Sequence, residues 1–489
     1  MKRNDIHEIL HPGAIAVVGA SNDQARGATL FLSALLEIGY EGQIYPVNPS
    51  LEVALGLKTY PSLLAIPGRV DHVIVGVPAR IAPSIVQDAV TKGVKSIHLF
   101  TSGFAEVGTD EGRALQKSIA DIARGKVRII GPNCMGIYNP RMKIAFDEGQ
   151  LPIAGGAAFV SQSGGLATYF SKSAIQEGNY CSKVVSIGNS SDLRLTDLFE
   201  YFGEDDDTET ISMYIEGLAE GEGNILLKIL EDTTRKKPVL IWKGGQSDQG
   251  ARTASSHTGA IATSYRLWQT VTRQCGAILV ESIEEMQDFI KIHRLSSPPQ
   301  GYRSCLVTFG GGNSVAYSDV CAKEGITLPE LEERTQEALV EFIPPMGTIL
   351  NNPVDMSASG WVPGVIEKSL KIVASDVNID SIVFITQLGF IIGGNATRFG
   401  VEPRAILDFQ VREVVSASQK LNIPLVCVNP APFEDLALEE LRIYVKKELE
   451  KNNIATFLTM DRAAKALKRH HDYNRIVTRG EAMPLQWRE

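Results

Sequence analysis

Of the eight histidines in the 489-residue chain, His257 alone lies in a long run of small residues, GGQSDQGARTASSHTGA at 244–260. Imidazole has an unperturbed pKa of about 6.5, so at neutral pH one ring nitrogen is free to attack an electrophile. The other ring nitrogen needs an acceptor that fixes the tautomer, and a carboxylate is the natural choice. Glu216, in Tyr214-Ile215-Glu216-Gly217, is the candidate. Taken alone, His257 is an exposed loop histidine and Glu216 a surface glutamate. Two glycine turns add a second kind of chemistry. Val160-Ser161-Gln162-Ser163-Gly164-Gly165 and Phe309-Gly310-Gly311-Gly312-Asn313-Ser314 each follow an apolar run and open a helix-length segment. A helix N-terminus offers free N–H groups and about half a positive charge to an anion. Ser163, Gly164, Gly165, Gly311, Gly312 and Asn313 are therefore candidate phosphate-binding positions, although each turn can equally be a plain βα connection.

The elements that must place these groups recur three times. AIAVV (14–18), QIYPV (43–47), HVIVGV (72–77), SIHLF (96–100) and VRII (127–130) are apolar runs separated by amphipathic stretches such as Ala28–Ile38 and Ile81–Thr91. That alternation is the βαβ rhythm of a parallel sheet covered by helices. GAAFV (156–160), KVVSIG (183–188), ISMYI (211–215), PVLIW (238–242) and AILV (277–280) repeat it, and CLVTF (305–309), SIVFIT (381–386) and PLVCVN (424–429) carry a third set. The expected architecture is α/β: three consecutive Rossmann/flavodoxin-like domains with doubly wound parallel sheets, at 1–145, 146–296 and 303–475. Asn139–Gly156, rich in Pro and Gly, joins the first two, and Leu295–Tyr302 precedes the third. The tail from His470 onward is polar and is expected to be loose.

The first strand ends in Val17-Val18-Gly19-Ala20-Ser21 and leads to Arg26-Gly27 at a helix start. A dinucleotide fingerprint, G-x-G-x-x-G, needs further glycines, and its second strand ends in an acidic residue for the ribose. Here that strand ends in Val47-Asn48-Pro49, which disfavours an NAD-dependent oxidoreductase. Val75-Gly76-Val77-Pro78, Thr101-Ser102-Gly103-Phe104 and Gly131-Pro132-Asn133-Cys134-Met135-Gly136 close the next three strands, so all five loops line one crevice. VGAS, PVNP, VGVP, TSGF and GPNCMG, in this order, resemble the CoA-binding domain of succinyl-CoA synthetase and the ADP-forming acyl-CoA synthetases. The resemblance implies that CoA is held at Gly19, Ala20, Ser21, Arg26, Asn48, Val77, Pro78, Thr101, Ser102, Gly103, Asn133 and Cys134. Arg26 would pair with a CoA phosphate, and Cys134 would be a packed thiol rather than a nucleophile.

ASSHTGA (254–260) resembles the phosphohistidine loop of the same synthetases. This implies that His257 carries a phosphoryl group, that Glu216 orients it, and that helix N-termini of the second and third domains face it. Asn352-Pro353-Val354-Asp355 also resembles a family signature, but its polar groups can equally cap a turn and no chemistry is assigned to it. Neither a P-loop motif nor room for an ATP-grasp fold is found, so a nucleotide must bind elsewhere. The resemblance spans roughly residues 8–470 and implies the reaction acid + CoA + ATP ⇌ acyl-CoA + ADP + phosphate. It further implies a separate ATP-grasp beta subunit that carries ATP/ADP and Mg²⁺, in an alpha2beta2 assembly. A non-catalytic CoA-binding regulatory protein of the same fold is the alternative.

Bulk properties remove other classes. A hydrophobic content of 44% and a charged content of 21% fit folded globular domains, and a net charge of −9 offers no general attraction to nucleic acid. The six cysteines lie far apart without a C-x-x-C pair, which argues against a zinc ribbon or disulfide framework and suits a reducing cytoplasm. No metal ligands are assigned, and no stretch reads as a signal peptide or membrane span.

Overall fold

The computed structural model describes residues 3–23, 27–250, 252, 264–388, 400, 402–431 and 434–479. They fall into two compact units, one ending at Gln287 and the other spanning Asp288–Arg479.

In the first unit, β1 (Ala14–Val18), β2 (Gln43–Val47), β3 (His72–Val75), β4 (Ser96–Leu99) and β5 (Arg128–Ile130) form a parallel sheet in the order 2-1-3-4-5. β1, β3 and β4 are buried along their whole length, as expected for strands covered on both faces, which is why β1 reads as an unbroken apolar run and even His72, Ser96 and His98 are buried. A second sheet contains β6 (Gly136–Tyr138), β7 (Ala157–Ser161), β8 (Cys181–Ser186), β9 (Thr210–Ile215), β10 (Val239–Lys243) and β11 (Ile278–Val280). Its order is 11-10-9-7-8-6, so the parallel strands β7 to β11 repeat the order of the first sheet. β6 is the addition: it pairs antiparallel with β8 at the edge, with Tyr138 opposite Val184. The first and second sheets are tied together by Asp192, which accepts from Arg128 Nε at 2.7 Å and from the Ile129 N–H at 2.8 Å.

The second unit holds β12 (Ser304–Thr308), β13 (Ile349–Leu350), β14 (Val354–Asp355), β15 (Ser381–Ile385), β16 (Leu425–Val428) and β17 (Thr456–Phe457), in the order 13-14-12-15-16-17. β13 is antiparallel to β14; the other five once more follow the 2-1-3-4-5 pattern. Successive strand residues point to opposite faces. Cys305, Val307, Ile382, Phe384 and Cys427 accordingly join one core, while Leu306, Val383, Ile385, Val426 and Val428 join the other. The sheet is thus covered on both sides, as the α/β reading requires.

Two sequence expectations meet particular outcomes here. The tail is not loose at His470: the helix Met460–Arg479 runs through it, with His470, His471 and Tyr473 buried. Burial holds the His470 ring neutral, with its pKa lowered to about 3, so it packs as an aromatic edge-on to Phe289 rather than as a polar residue. Asn352 does hold a turn, donating to the carbonyls of Ser304 and Pro329 at 2.8 and 2.9 Å, and Asp355 accepts from the Ser357 N–H at 2.9 Å.

Candidate active site

β9 and β10 are neighbours with Ile215 opposite Lys243, so Glu216 and Gly244 leave the sheet side by side at its carboxyl edge. Glu216 is only 8% exposed and Lys243 2%. The Lys243 ammonium donates to the Glu216 carbonyl at 2.9 Å and also to the Gly244 carbonyl. Burial pulls the Lys243 pKa down, and the nearby Glu216 charge opposes that. Burial also pushes the Tyr214 phenol up, helped by the charge and hydrogen bond of the Glu216 carboxylate. A Cβ on Gly244 would meet Tyr214 Oη at 2.6 Å, so a side chain there would push the Tyr214 ring aside.

The turn after β7 reaches the same edge. Gln162 Oε1 accepts from the N–H groups of Glu216 and Gly217 at 2.6 and 3.1 Å, and its Nε2 donates to the Gly217 carbonyl at 2.8 Å. Ser163 then caps the helix Gly164–Glu177, its Oγ accepting from the Leu166 N–H at 3.3 Å. Gly165 is exposed, and a Cβ there would have nothing within 4 Å. A buried ammonium, a carboxylate and a capped helix N-terminus therefore share one strand-end corner at the root of the 244–260 loop. His257 itself lies outside the described residues. Gln162 and Lys243 were passed over by the sequence reading. Their signal was a polar residue where a strand ends at a glycine pair or an N-cap.

In the first sheet the crevice is built backbone against backbone. Gly19 has φ +92°, its N–H donates to the Val47 carbonyl at 3.0 Å, and a Cβ would meet the Gly76 carbonyl at 2.7 Å. Such glycines let a ligand approach main-chain groups closely. Ala20 and Ser21 are buried; the Ser21 hydroxyl bonds Thr29 Oγ1 at 2.9 Å, and Asn48 Nδ2 donates to the Ala20 carbonyl at 2.8 Å. Thr101 donates to the Val77 carbonyl at 2.7 Å, and Asn133, at φ +58°, donates its N–H to the Thr101 carbonyl at 3.0 Å. Ser102 is exposed, and Pro78 and Gly103 help line a cleft of about 350 Å³ with Ala79, Arg80 and Thr109. The Gly103 and Phe104 N–H groups are already taken by Glu106 Oε1, at 2.6 and 3.1 Å, which leaves them unavailable to a ligand. The Cys134 thiol is turned inward toward the Leu99 carbonyl and burial pushes its pKa up, so it is packed rather than reactive. Arg26 lies outside the described residues.

In the second unit Gly311, Gly312 and Asn313 open the helix Gly311–Glu324 after β12. Gly312 and Asn313 are exposed, and a Cβ on Gly311 would sit 3.5 Å from the Asp355 carboxylate, whose pKa burial raises.

Repeated sheets of this order with glycine turns at their carboxyl edges define a class, the doubly wound α/β proteins. Three family descriptions match in series: "CoA binding domain" at 13–140, "Succinyl-CoA ligase like flavodoxin domain" at 154–293 and "Ligase-CoA domain" at 304–396. The acetate–CoA ligase [ADP-forming] II subunit alpha of Pyrococcus furiosus is 34% identical over 91% of this chain and 93% of its own. The chain belongs to the family of ADP-forming acyl-CoA ligases, and within it to the alpha-subunit kind. Acetate–CoA ligase [ADP-forming] I of Archaeoglobus fulgidus is 32% identical over 85% of this chain, which spans 60% of that longer protein. The Ca. Korarchaeum cryptofilum dinucleotide forming acetyl-coenzyme A synthetase 1, solved with phosphate and ADP, superimposes with a TM-score of 0.80 at 28% identity, covering 98% of this chain and 100% of that one.

Proposed function

We propose that this chain is the CoA-binding, phosphohistidine-carrying subunit of an ADP-forming acyl-CoA ligase and works with a separate ATP-grasp subunit, two copies of each. ATP phosphorylates His257 and leaves as ADP. The carboxylate oxygen of the acid then attacks the phosphorus of phospho-His257, giving an acyl phosphate and freeing the imidazole. The CoA sulfur attacks the acyl carbon, the thiol proton goes to solvent, and phosphate leaves. In this scheme Glu216 orients the imidazole, the Ser163-Gly164-Gly165 turn faces the phosphate, and Gly311, Gly312 and Asn313 are phosphate-binding positions of the second unit. Mg²⁺ accompanies the nucleotide on the partner. Gly19, Ala20, Ser21, Arg26, Asn48, Val77, Pro78, Thr101, Ser102, Asn133 and the backbone around Gly103 and Cys134 form the CoA crevice.

The observation that carries this reading is the corner at which Glu216, Lys243 and the capped helix Gly164–Glu177 meet, where the chain leaves β10 at Gly244. The separate partner is supported by the name of the Pyrococcus furiosus relative, a subunit alpha; the chain spans about half of the Methanocaldococcus jannaschii acetate–CoA ligase [ADP-forming]. The acid is left at its class, a carboxylic acid, since relatives are named for acetate, 4-hydroxybutyrate and trans-ferulate. The test is incubation of the chain and its partner with labelled ATP. Acid-labile phosphate should appear on this chain and vanish in His257→Ala, together with acyl-CoA synthesis. Normal acyl-CoA synthesis by His257→Ala overturns the reading. CoA binding with no phosphoenzyme in the parent would favour the regulatory alternative.

A further inference from the structure

Resting on that reading, we infer that Lys243 is a positioning residue for phosphoryl transfer: it locks the backbone of Glu216 to the root of the histidine loop and keeps a cation beneath the reacting corner. A lysine is among the residues least often buried, and keeping an ammonium out of water is costly unless it is hydrogen-bonded. Lys243 is nevertheless 2% exposed, at the last position of β10. Its ammonium donates to two main-chain carbonyls, one on Glu216 and one on Gly244. Those carbonyls belong to different strands, and the residues bearing them are the candidate orienting carboxylate and the first residue of the 244–260 loop.

Filling the space alone needs no charge, since a methionine of similar length would do so, although it would leave both carbonyls without this donor. The charge has two consequences that an apolar residue cannot supply. One is an attraction to the nearby Glu216 charge, which opposes the burial-driven lowering of the Lys243 pKa. The other is that a buried ammonium at this strand end would oppose the negative charge of a phosphoryl group brought to the corner. Gln162 fixes the Glu216 and Gly217 N–H groups from the other side, so the segment is held at its N–H groups by Gln162 and at its Glu216 carbonyl by Lys243.

The experiment compares Lys243→Met and Lys243→Arg with the parent, each with the partner subunit. Three quantities are read: the rate of phosphohistidine formation, kcat and KM for CoA, and CoA binding by calorimetry as a check that the chain is folded. Lys243→Met should form phosphohistidine at least tenfold more slowly and lose kcat by a similar factor, with KM for CoA and CoA binding unchanged. Lys243→Arg should recover a measurable part of the loss. Phosphorylation of Lys243→Met at the parent rate overturns the inference, as does a loss that Lys243→Arg does not relieve while CoA binding stays intact. If Lys243→Met fails to bind CoA, Lys243→Arg decides alone: near-parent phosphorylation supports the inference, and a drop as large as that of Glu216→Gln with normal CoA binding overturns it. A parent that forms no phosphohistidine defeats the proposed function itself, which is a different outcome from a parent that forms it without needing Lys243.

Discussion

Gly19→Ala tests whether the first crevice is assembled from touching backbones. The substitution places a Cβ at φ +92°, 2.7 Å from the Gly76 carbonyl oxygen and 2.9 Å from Val77 Cγ1. Gly76 has little room to retreat, since a Cβ on it would already lie 2.8 Å from both the Cβ and the N of Ala28. Gly39 is the control: it has φ +76° and open space around its Cβ position. A left-handed backbone costs a non-glycine residue about 1–2 kcal/mol, and the smaller unfolded-state entropy of Ala offsets part of it. Gly39→Ala should therefore lose about 1 kcal/mol. Gly19→Ala adds an overpacking term of about 1–3 kcal/mol, for a total near 3 kcal/mol. Urea denaturation of both variants gives the difference, and calorimetric titration with CoA gives its functional side. Gly19→Ala should weaken CoA binding at least tenfold, while Gly39→Ala leaves it unchanged. Equal destabilisation in the two variants, or parent-like CoA affinity in Gly19→Ala, would refute the interlocked backbone.

Three further outcomes are expected. Ser163→Ala removes the N-cap of the helix Gly164–Glu177 and should cost about 1 kcal/mol by thermal or urea unfolding, with slower phosphoenzyme formation. Glu216→Gln should lower phosphohistidine at least tenfold in the labelled-ATP assay, and unchanged labelling would remove Glu216 from its role. Stability should fall in mild acid, because burial holds His98 neutral with its pKa lowered to about 4 while the unfolded chain titrates near 6.5. The unfolded state then binds the extra proton, so the His98 contribution is complete above pH 6.5 and is lost at about 1.4 kcal/mol per pH unit down to about 4. His98→Gln should flatten that part of the urea-midpoint curve.

The fold was legible because of how parallel sheets are covered. Strands such as β1 and β3 are buried on both faces and appear as apolar runs, so sequence boundaries and observed ones differ by only a residue or two. β6, β13, β14 and β17 escaped notice for the opposite reason. They are two or three residues long and carry no periodicity, and their placement depends on partners distant in sequence, as with Tyr138 opposite Val184. The same separation hid Gln162 and Lys243. In sequence each is a polar residue beside glycine or serine, which normally means a solvated loop. Their meaning comes from bonds to Glu216, 54 and 27 residues away. The polar tail misled because histidine counts as hydrophilic by composition, yet a neutral ring packs like any aromatic once burial has lowered its pKa.

Three sheets with one strand order also explain why the candidate residues cluster as they do. In each sheet the chain reverses its direction of winding at the first strand, and the loop after that strand opens into the resulting gap. Those loops hold Gly19 after β1, Ser163-Gly164-Gly165 after β7 and Gly310-Gly311-Gly312 after β12. A turn at this point must let main-chain N–H groups face outward and must start a helix at once, so small residues recur there whatever the ligand. What distinguishes the second sheet is the supply of charge from its third and fourth parallel strands, which end in Ile215-Glu216 and Lys243. The first sheet ends the equivalent strands in Val75-Gly76 and Leu99-Phe100, with no charged side chain at either point. The glycine turns alone suit a bound phosphate, whereas the second sheet adds a carboxylate and an ammonium, charges that the proposed phosphoryl transfer would use.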